Sequence, residues 1–496
     1  MDKVEKSKRA GKFILAQGEE IYGELTVSGA NTALYLRNES EFSTHAGPNQ
    51  YIKGVLHDLT KVSLIDCVTP PLPGHASKGS EQYYFVSLFP HFVIYGDRHV
   101  APDDKTIESI HFSVDDATTL FYDFDAFGIL LNARAFIKDI VQANADSVGR
   151  QIDTGVDPQI LYFTGKRGIF AAKTVIGKVS ASHNPRPTTF GGPSGVGLKN
   201  TIFLTIEFPE PVVFEQSIRH LSTLLRYLEM LAGRPQNLVA LELQIKSDQK
   251  GPGLVDVYWS MRPKRKPHDE EHKPHPSDVL LDPIRGSDEF SRVLANWLDR
   301  EQSWSDARAR FSNGFAEQNH YTIDRLIGAA NMFDILPTSA VPSDVPLPNE
   351  IEAARELSRN AFLPLKSSPE RDSVLSALGR IGKASLKRKI RHRAEKIIGV
   401  LGGQFGELPT VIDEAVNCRN HYVHGTEPRF DYNANFHMVT LFTDTLEFVF
   451  AASDLIEAGW DAKKWSSAGT VMSHPFARFR INFAKQLEQL KGLLPS

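Results

Sequence analysis

The first half of the chain is written in short apolar runs. From Phe13 to about Val114, β-branched and aromatic residues cluster between Gly, Pro, Asn and Asp, as in Ile21-Tyr22-Gly23-Glu24-Leu25-Thr26-Val27 and Tyr83-Tyr84-Phe85-Val86-Ser87-Leu88. Such runs predict strands, because branched and aromatic side chains fit a pleated surface and the breakers supply turns. Residues 33–36, 61–68 and 91–95 continue the series, so an antiparallel sheet or sandwich is expected. The apolar spacing over 127–141 predicts an inserted helix. Strands are expected again at 169–176, 202–208, 238–245 and 254–259, and a helix closed by Gly233 over 214–231.

After about Gly286 the period changes. Val293, Leu294, Trp297 and Leu298, then Ile323, Leu326, Ile327 and Ala330, recur at three-to-four spacing up to Pro337. Further helices are expected over 349–363, 370–399, 408–424, 434–458 and 475–493. The pattern therefore predicts an α+β chain: a β-rich domain over 1–261, a Pro- and charge-rich linker or loop over 262–285, and an all-α helical bundle over 286–496.

Composition narrows the function classes. At 496 residues, two or three domains are expected, and a net charge of -4 means that nucleic-acid contact must come from local basic patches. Cys67 and Cys418 alone supply neither a disulfide framework nor a cysteine zinc site. No stretch approaches the roughly 20 apolar residues of a membrane span, and the basic start lacks an apolar signal region. A soluble, cytoplasmic protein is the expectation.

Three stretches invite chemistry, apart from a histidine group in the linker. Residues 191–200 carry Gly191, Gly192, Gly195 and Gly197, but Leu198 separates Gly197 from Lys199, so the phosphate-loop pattern fails and a flexible or ligand-contacting loop of the sheet domain is expected. His268, His272 and His275 lie in the Pro-rich linker and read as solvated, not as a metal cluster. The helix expected around 376–400 carries Lys387, Arg388, Arg391 and Arg393 with few acids, a cationic ridge suited to phosphate.

The third stretch is Arg419-Asn420-His421-Tyr422-Val423-His424, ahead of Gly425. Guanidinium pairs with phosphate and imidazole titrates near neutrality, so the set suits phosphodiester cleavage without a metal. Arg–His pairs also arise by chance, as Arg262 with His268 and Arg265 with His272 show. In an unbroken helix Arg419 and His424 leave the axis about 140° apart, so one site requires that the helix end or bend between them, or that two chains share the site. Asn420 and His424 are i,i+4 neighbours, a spacing at which the amide can orient the imidazole.

Arg-Asn-x-x-x-His near the end of one helix, followed by a long apolar helix from Phe436, resembles the HEPN superfamily, whose ribonuclease motif is Arg-x(4-6)-His. With Gln17-Gly18-Glu19-Glu20-Ile21-Tyr22-Gly23-Glu24-Leu25-Thr26 near the start, the chain resembles ApeA-type antiphage proteins, a β-rich N-terminal domain before a HEPN domain. The resemblance implies metal-independent RNA cleavage to a cyclic phosphate, with no cofactor. His424 would be base or acid, Arg419 would neutralise phosphate charge and Asn420 would position one of them. His421 is additional to the family pattern and has no assigned role. The resemblance further implies RNA as partner, tRNA the first candidate, lying along the ridge of Arg388 and Arg391. It also implies a homodimer or higher homo-oligomer, and an N-terminal domain that senses a phage-derived trigger or restrains the nuclease. A rival reading is a non-catalytic scaffold that dimerises through the helices and binds a ligand through the sheet. A carbohydrate- or peptide-binding module is a third.

Overall fold

The computed structural model describes residues 7–15, 18–42, 50–70, 74–189, 195–246, 253–264, 273–343 and 346–495. The chain forms two compact units, 1–298 and 299–496. A helix over Ser287–Asp299 therefore falls with the strands, although the periodicity placed the start of the helical domain at 286.

The first seven strands are β1 (Ser7–Ile14), β2 (Glu20–Val27), β3 (Ala33–Asn38), β4 (Gln50–Leu56), β5 (Lys61–Val68), β6 (Gly74–Lys78) and β7 (Glu81–Gly96). Around β1 run β2 on one side and β4 on the other. β2 continues to β3, and β3 to the first half of β7 through Leu34↔Leu88. β4 continues to β5, and β5 to the second half of β7 through Ile65↔Phe92. The ladder thus closes: β1, β2, β3, β7, β5 and β4 form an antiparallel barrel, which removes the free edges that an open sheet exposes. Its interior is filled by Phe13, Leu25, Leu34, Leu36, Val62, Leu64 and Val93. Gly54 makes this filling possible, since a Cβ there would stand 2.5 Å from the Phe13 ring.

From β7 the sheet opens outward. It continues through β8 (Ile107–Val114), α1 (Ala117–Leu120), β9 (Phe127–Leu130), α2 (Arg134–Val148), β10 (Ile160–Phe163), β11 (Gly168–Thr174), β12 (Gly177–Thr189), β13 (Val196–Val212), α3 (Phe214–Ala232), β14 (Leu238–Ile245), β15 (Leu254–Trp259) and α4 (Ser287–Asp299). Spatially the order is β7-β15-β14-β8-β13-β12-β11, with β9 and β10 paired apart. α3 lies against β8 and β13 and ends at Gly233, which adopts the left-handed conformation as the sequence predicts.

One expectation changes here, and two others fall partly outside the described residues. Residues 127–130 are strand β9, not helix: the apolar run pairs with β10, and the helix begins only at Arg134. Residues 191–194 of the glycine-rich stretch lie outside the described residues, while Lys199 and Asn200 sit inside β13, where no helix follows to cradle a phosphate. His268 and His272 also lie outside the described residues. His275 accepts from Ser277 N at 3.2 Å, and the linker then turns inward to bury Leu280 and Leu281.

The helical unit contains α5 (Glu301–Phe315), α6 (Ile323–Asn331), α7 (Asn349–Phe362), α8 (Pro369–Arg380), α9 (Leu386–Phe405), α10 (Leu408–His424), α11 (Phe436–Ala458), α12 (Ala462–Ser467) and α13 (Pro475–Leu493). The single helix expected over 370–399 is two. Gly382 at φ 86° breaks it, and the Ser385 hydroxyl starts α9 by accepting from Arg388 N.

At the centre, α11 packs against α5, α6, α9, α10 and α13. It is apolar around most of its surface, yet it also carries acids that meet arginines from other helices. Glu447 takes a bidentate pair from Arg325 of α6 at 2.9 and 2.8 Å. Asp454 takes one from Arg308 of α5 at 3.0 and 3.1 Å, and Glu457 meets Arg393 of α9 at 2.8 Å. The two bidentate pairs fix α5 and α6 in rotation and height against α11, because only one register satisfies such a contact in a buried setting, and the single Arg393–Glu457 contact ties α9 to the same helix at a half-buried point.

Candidate functional site

α10 has Pro409 in its first turn and buries Val411, Ile412, Ala415, Val416 and Cys418. Its other face carries Arg419, Asn420, His421 and His424, and the helix runs without a break to Gly425, whose φ of 68° ends it. No bend separates Arg419 from His424.

They meet nonetheless within one chain. Arg419 NH1 donates to His424 Nε2 at 2.9 Å and to Asn420 Oδ1 at 3.0 Å, while NH2 donates to Asn331 Oδ1 at 3.0 Å. The expected need for a bend or a second chain is corrected. The 140° angle describes where side chains leave the axis; five residues rise only about 7.5 Å, a span that arginine and histidine bridge together along the last turns.

The donors fix a proton. Guanidinium has no acceptor, so Nε2 of His424 must be the acceptor and the neutral ring carries its hydrogen on Nδ1. The lone pair of the candidate base is therefore held by the candidate phosphate binder. Asn420 does not orient the imidazole as its i,i+4 spacing suggested; its carboxamide oxygen is taken up by Arg419. His421 faces elsewhere: Nδ1 bonds Thr426 O at 2.7 Å, and the ring packs on Tyr422 and Tyr432. It pins the turn that follows α10.

The environment of Arg419 differs from that of its neighbours. Arg308, Arg325, Arg391 and Arg393 each face a carboxylate, whereas the three acceptors around Arg419 are neutral. Its charge is held in place without being cancelled. His424 itself is exposed, so the pair is open to a ligand.

The expected cationic ridge is smaller than its sequence. Arg393 is 1 % exposed, pairs with Glu457, donates to Ser453 Oγ and lies over the Trp304 ring; it belongs to the core and is withdrawn as a surface contact. Arg391 forms a bidentate pair with Asp413, and Lys387 reaches Asn417 Oδ1 at 3.2 Å and Asp413 at 4.0 Å. Arg388 donates to Ser343 O at 3.3 Å. The acids that quench α9 sit on other elements, Asp334 and Asp413 among them, which a reading of α9 alone does not register. Sequence reasoning also missed Asn331, which lies 88 positions from Arg419 and shares no local pattern with it.

Residues 8–297, more than half of the chain, match the family described as ApeA N-terminal domain 1, and residues 328–464 match the Apea-like HEPN family. The chain belongs to the ApeA family. No curated protein and no solved structure matches it. The ApeA-like HEPN match spans Asn331, Arg419, Asn420 and His424, so all the partners in this network fall within one family domain. An ApeA-type chain with such a domain is an antiphage-defence HEPN protein, and HEPN domains generally imply ribonuclease activity. No helix among the described residues is long and apolar enough to cross a membrane.

Proposed function

We propose that this ApeA-type protein is a regulated, metal-independent endoribonuclease acting in abortive antiphage defence. The observation that carries the reading is the hydrogen bond from Arg419 to His424 Nε2, which brings a phosphate binder and a proton acceptor together on an exposed helix end. In the reaction, Nε2 takes the proton of a ribose 2′-hydroxyl, whose oxygen attacks the adjacent phosphorus. The bond to the 5′ oxygen breaks, leaving a 2′,3′-cyclic phosphate and, after proton return, a 5′-hydroxyl. Arg419 stabilises the charge that builds on the phosphoryl oxygens, and its neutral surroundings leave its full charge for that task.

RNA is the partner, tRNA the first candidate, and Lys387, Arg388 and Arg391 are the outer phosphate contacts. Arg391 can take part because a pair as exposed as Arg391–Asp413 is worth little and exchanges readily for a phosphate. A homodimer or higher homo-oligomer and a phage-derived trigger read by the N-terminal unit complete the proposal. With both residues reached by one chain, a dimer regulates or shapes the site and is not needed to join the pair.

Arg419→Ala and His424→Ala test the reading. Each is expected to lower RNA cleavage by at least about 10²-fold and to remove protection in a phage challenge. Cleavage by the unsubstituted protein is expected to persist in EDTA. Full protection by both variants would favour the scaffold reading instead.

A further inference from the structure

We infer that Asn331 is the positioning residue of this site, a pivot that holds one end of the Arg419 guanidinium while the other passes from His424 to the substrate phosphate. The inference rests on the ribonuclease reading above and adds to it a residue from outside the motif.

The first support is the choice of acceptors. Asn420 is the next residue on the same helix and travels with Arg419, and His424 shares that helix too. Among the described residues, Asn331 is the acceptor that reaches Arg419 from another helix, and so it alone fixes the guanidinium against the rest of the unit.

The second is the rigidity of the support. α6 starts at a cap in which Thr322 Oγ1 accepts from Arg325 N, and Arg325 ties it to Glu447 of α11. On either side of Asn331, Ala330, Met332 and Phe333 are fully buried. The carboxamide thus projects from a backbone locked at both ends. Second-layer groups of this kind hold a reacting set within the small tolerance that catalysis needs.

The third is the state of the base. With NH1 on Nε2, the imidazole lone pair is capped, and no 2′-hydroxyl can use it. An entering phosphate offers NH1 a stronger, charged acceptor, so NH1 shifts to a phosphoryl oxygen and uncaps Nε2 in the same movement. NH2 stays on Asn331 throughout. A carboxylate in that place would hold the guanidinium as well but would cancel the charge the phosphate needs, which accounts for an amide here.

Two readouts on the full-length protein decide the matter. The first does not depend on activity. In protein carrying 15N-labelled histidine, with the His424 signal assigned by its loss in His424→Gln, the unsubstituted chain is expected to show the Nδ1–H tautomer. Asn331→Ala should raise the Nε2–H population, and Asn331→Asp should preserve the Nδ1–H form. An unchanged tautomer ratio in Asn331→Ala would overturn the proposal.

The second is kinetic. Asn331→Ala should lower kcat for RNA cleavage by about 10²-fold with KM within about twofold, and should cause no further loss in an Arg419→Ala background. Losses that multiply in the double variant would show that Asn331 acts independently of Arg419, and the inference would fall. The isosteric Asn331→Asp guards against a folding defect: it should melt with the parent protein yet remain slow, because its charge competes with phosphate. If the parent protein cleaves no RNA while the tautomer still shifts, the ribonuclease reading fails and the pivot stands.

Discussion

The barrel of the first unit and the helices of the second are specified by different means. The barrel closes its hydrogen-bond ladder on itself around an interior of apolar side chains, and each strand has its neighbour fixed by backbone pairing. The helices have no shared ladder. Their mutual register is set by buried ion pairs from α5 and α6 onto α11, with a half-buried pair from α9 beside them. A backbone ladder tolerates side-chain changes as long as volume is kept, whereas a buried ion pair stops tolerating change once one partner is gone. The candidate site was placed on the scaffold of the second kind, where the position of Asn331 depends on Arg325 and Glu447.

This contrast can be broken in three places. Arg325→Ala should produce the largest effect, about 3–5 kcal/mol of lost stability in the helical unit, because it leaves Glu447 buried at 3 % exposure without its guanidinium. The paired replacement Arg325→Met with Glu447→Leu should recover most of that loss in thermal melts. A loss below about 1 kcal/mol in the single variant would mean that apolar packing alone orders the helices.

In the barrel the corresponding probe is Gly54→Ala, expected to cost about 1–3 kcal/mol through overpacking against Phe13. Adding Phe13→Leu should relieve it. Hydrogen exchange at the amides of β1 and β4 reads both, and an unchanged exchange rate in Gly54→Ala would show that the interior is looser than its burial implies.

The third place concerns pH. Burial pushes the Asp444 carboxyl up to about 7, while its hydroxyl partner Tyr321 donates to it at 2.7 Å. An acid whose folded pKa is raised holds a proton that the unfolded chain has already released, so stability falls as pH rises from about 4 towards 7 and stays reduced above it. Asp444→Asn accepts the same hydrogen bond and does not titrate. Relative to the parent protein it should gain stability progressively between pH 5 and pH 8, with no gain at pH 4. A gain that is the same at every pH would assign the effect to packing.

The two units also differed in how far they could be read from the chain. Strand positions such as Leu238–Ile245 and Leu254–Trp259 were legible, because composition and turn residues act locally. Closure into a barrel was not, since it depends on pairings such as Phe13↔Gly54 and Leu64↔Val93 between separate runs. In the helical unit the bounds of α10 could be read from Pro409 and Gly425, and the α13 bounds from Pro475. The burial of Arg393 could not, because Glu457 and Ser453 belong to α11. The motif gave Arg419, Asn420 and His424 by their types, but their geometry needed side-chain length as well as helical angle, and Asn331 needed tertiary structure.

The 16-residue β7 has a mechanical consequence. Its two halves are staves of the barrel, and residues 92–95 are also paired to β15 of the open sheet. A hinge between barrel and open sheet would have to sever ladder bonds along that strand, so the two move as one stiff plate. A load applied to β15 therefore enters the barrel through backbone hydrogen bonds to β7 and not through a connecting loop.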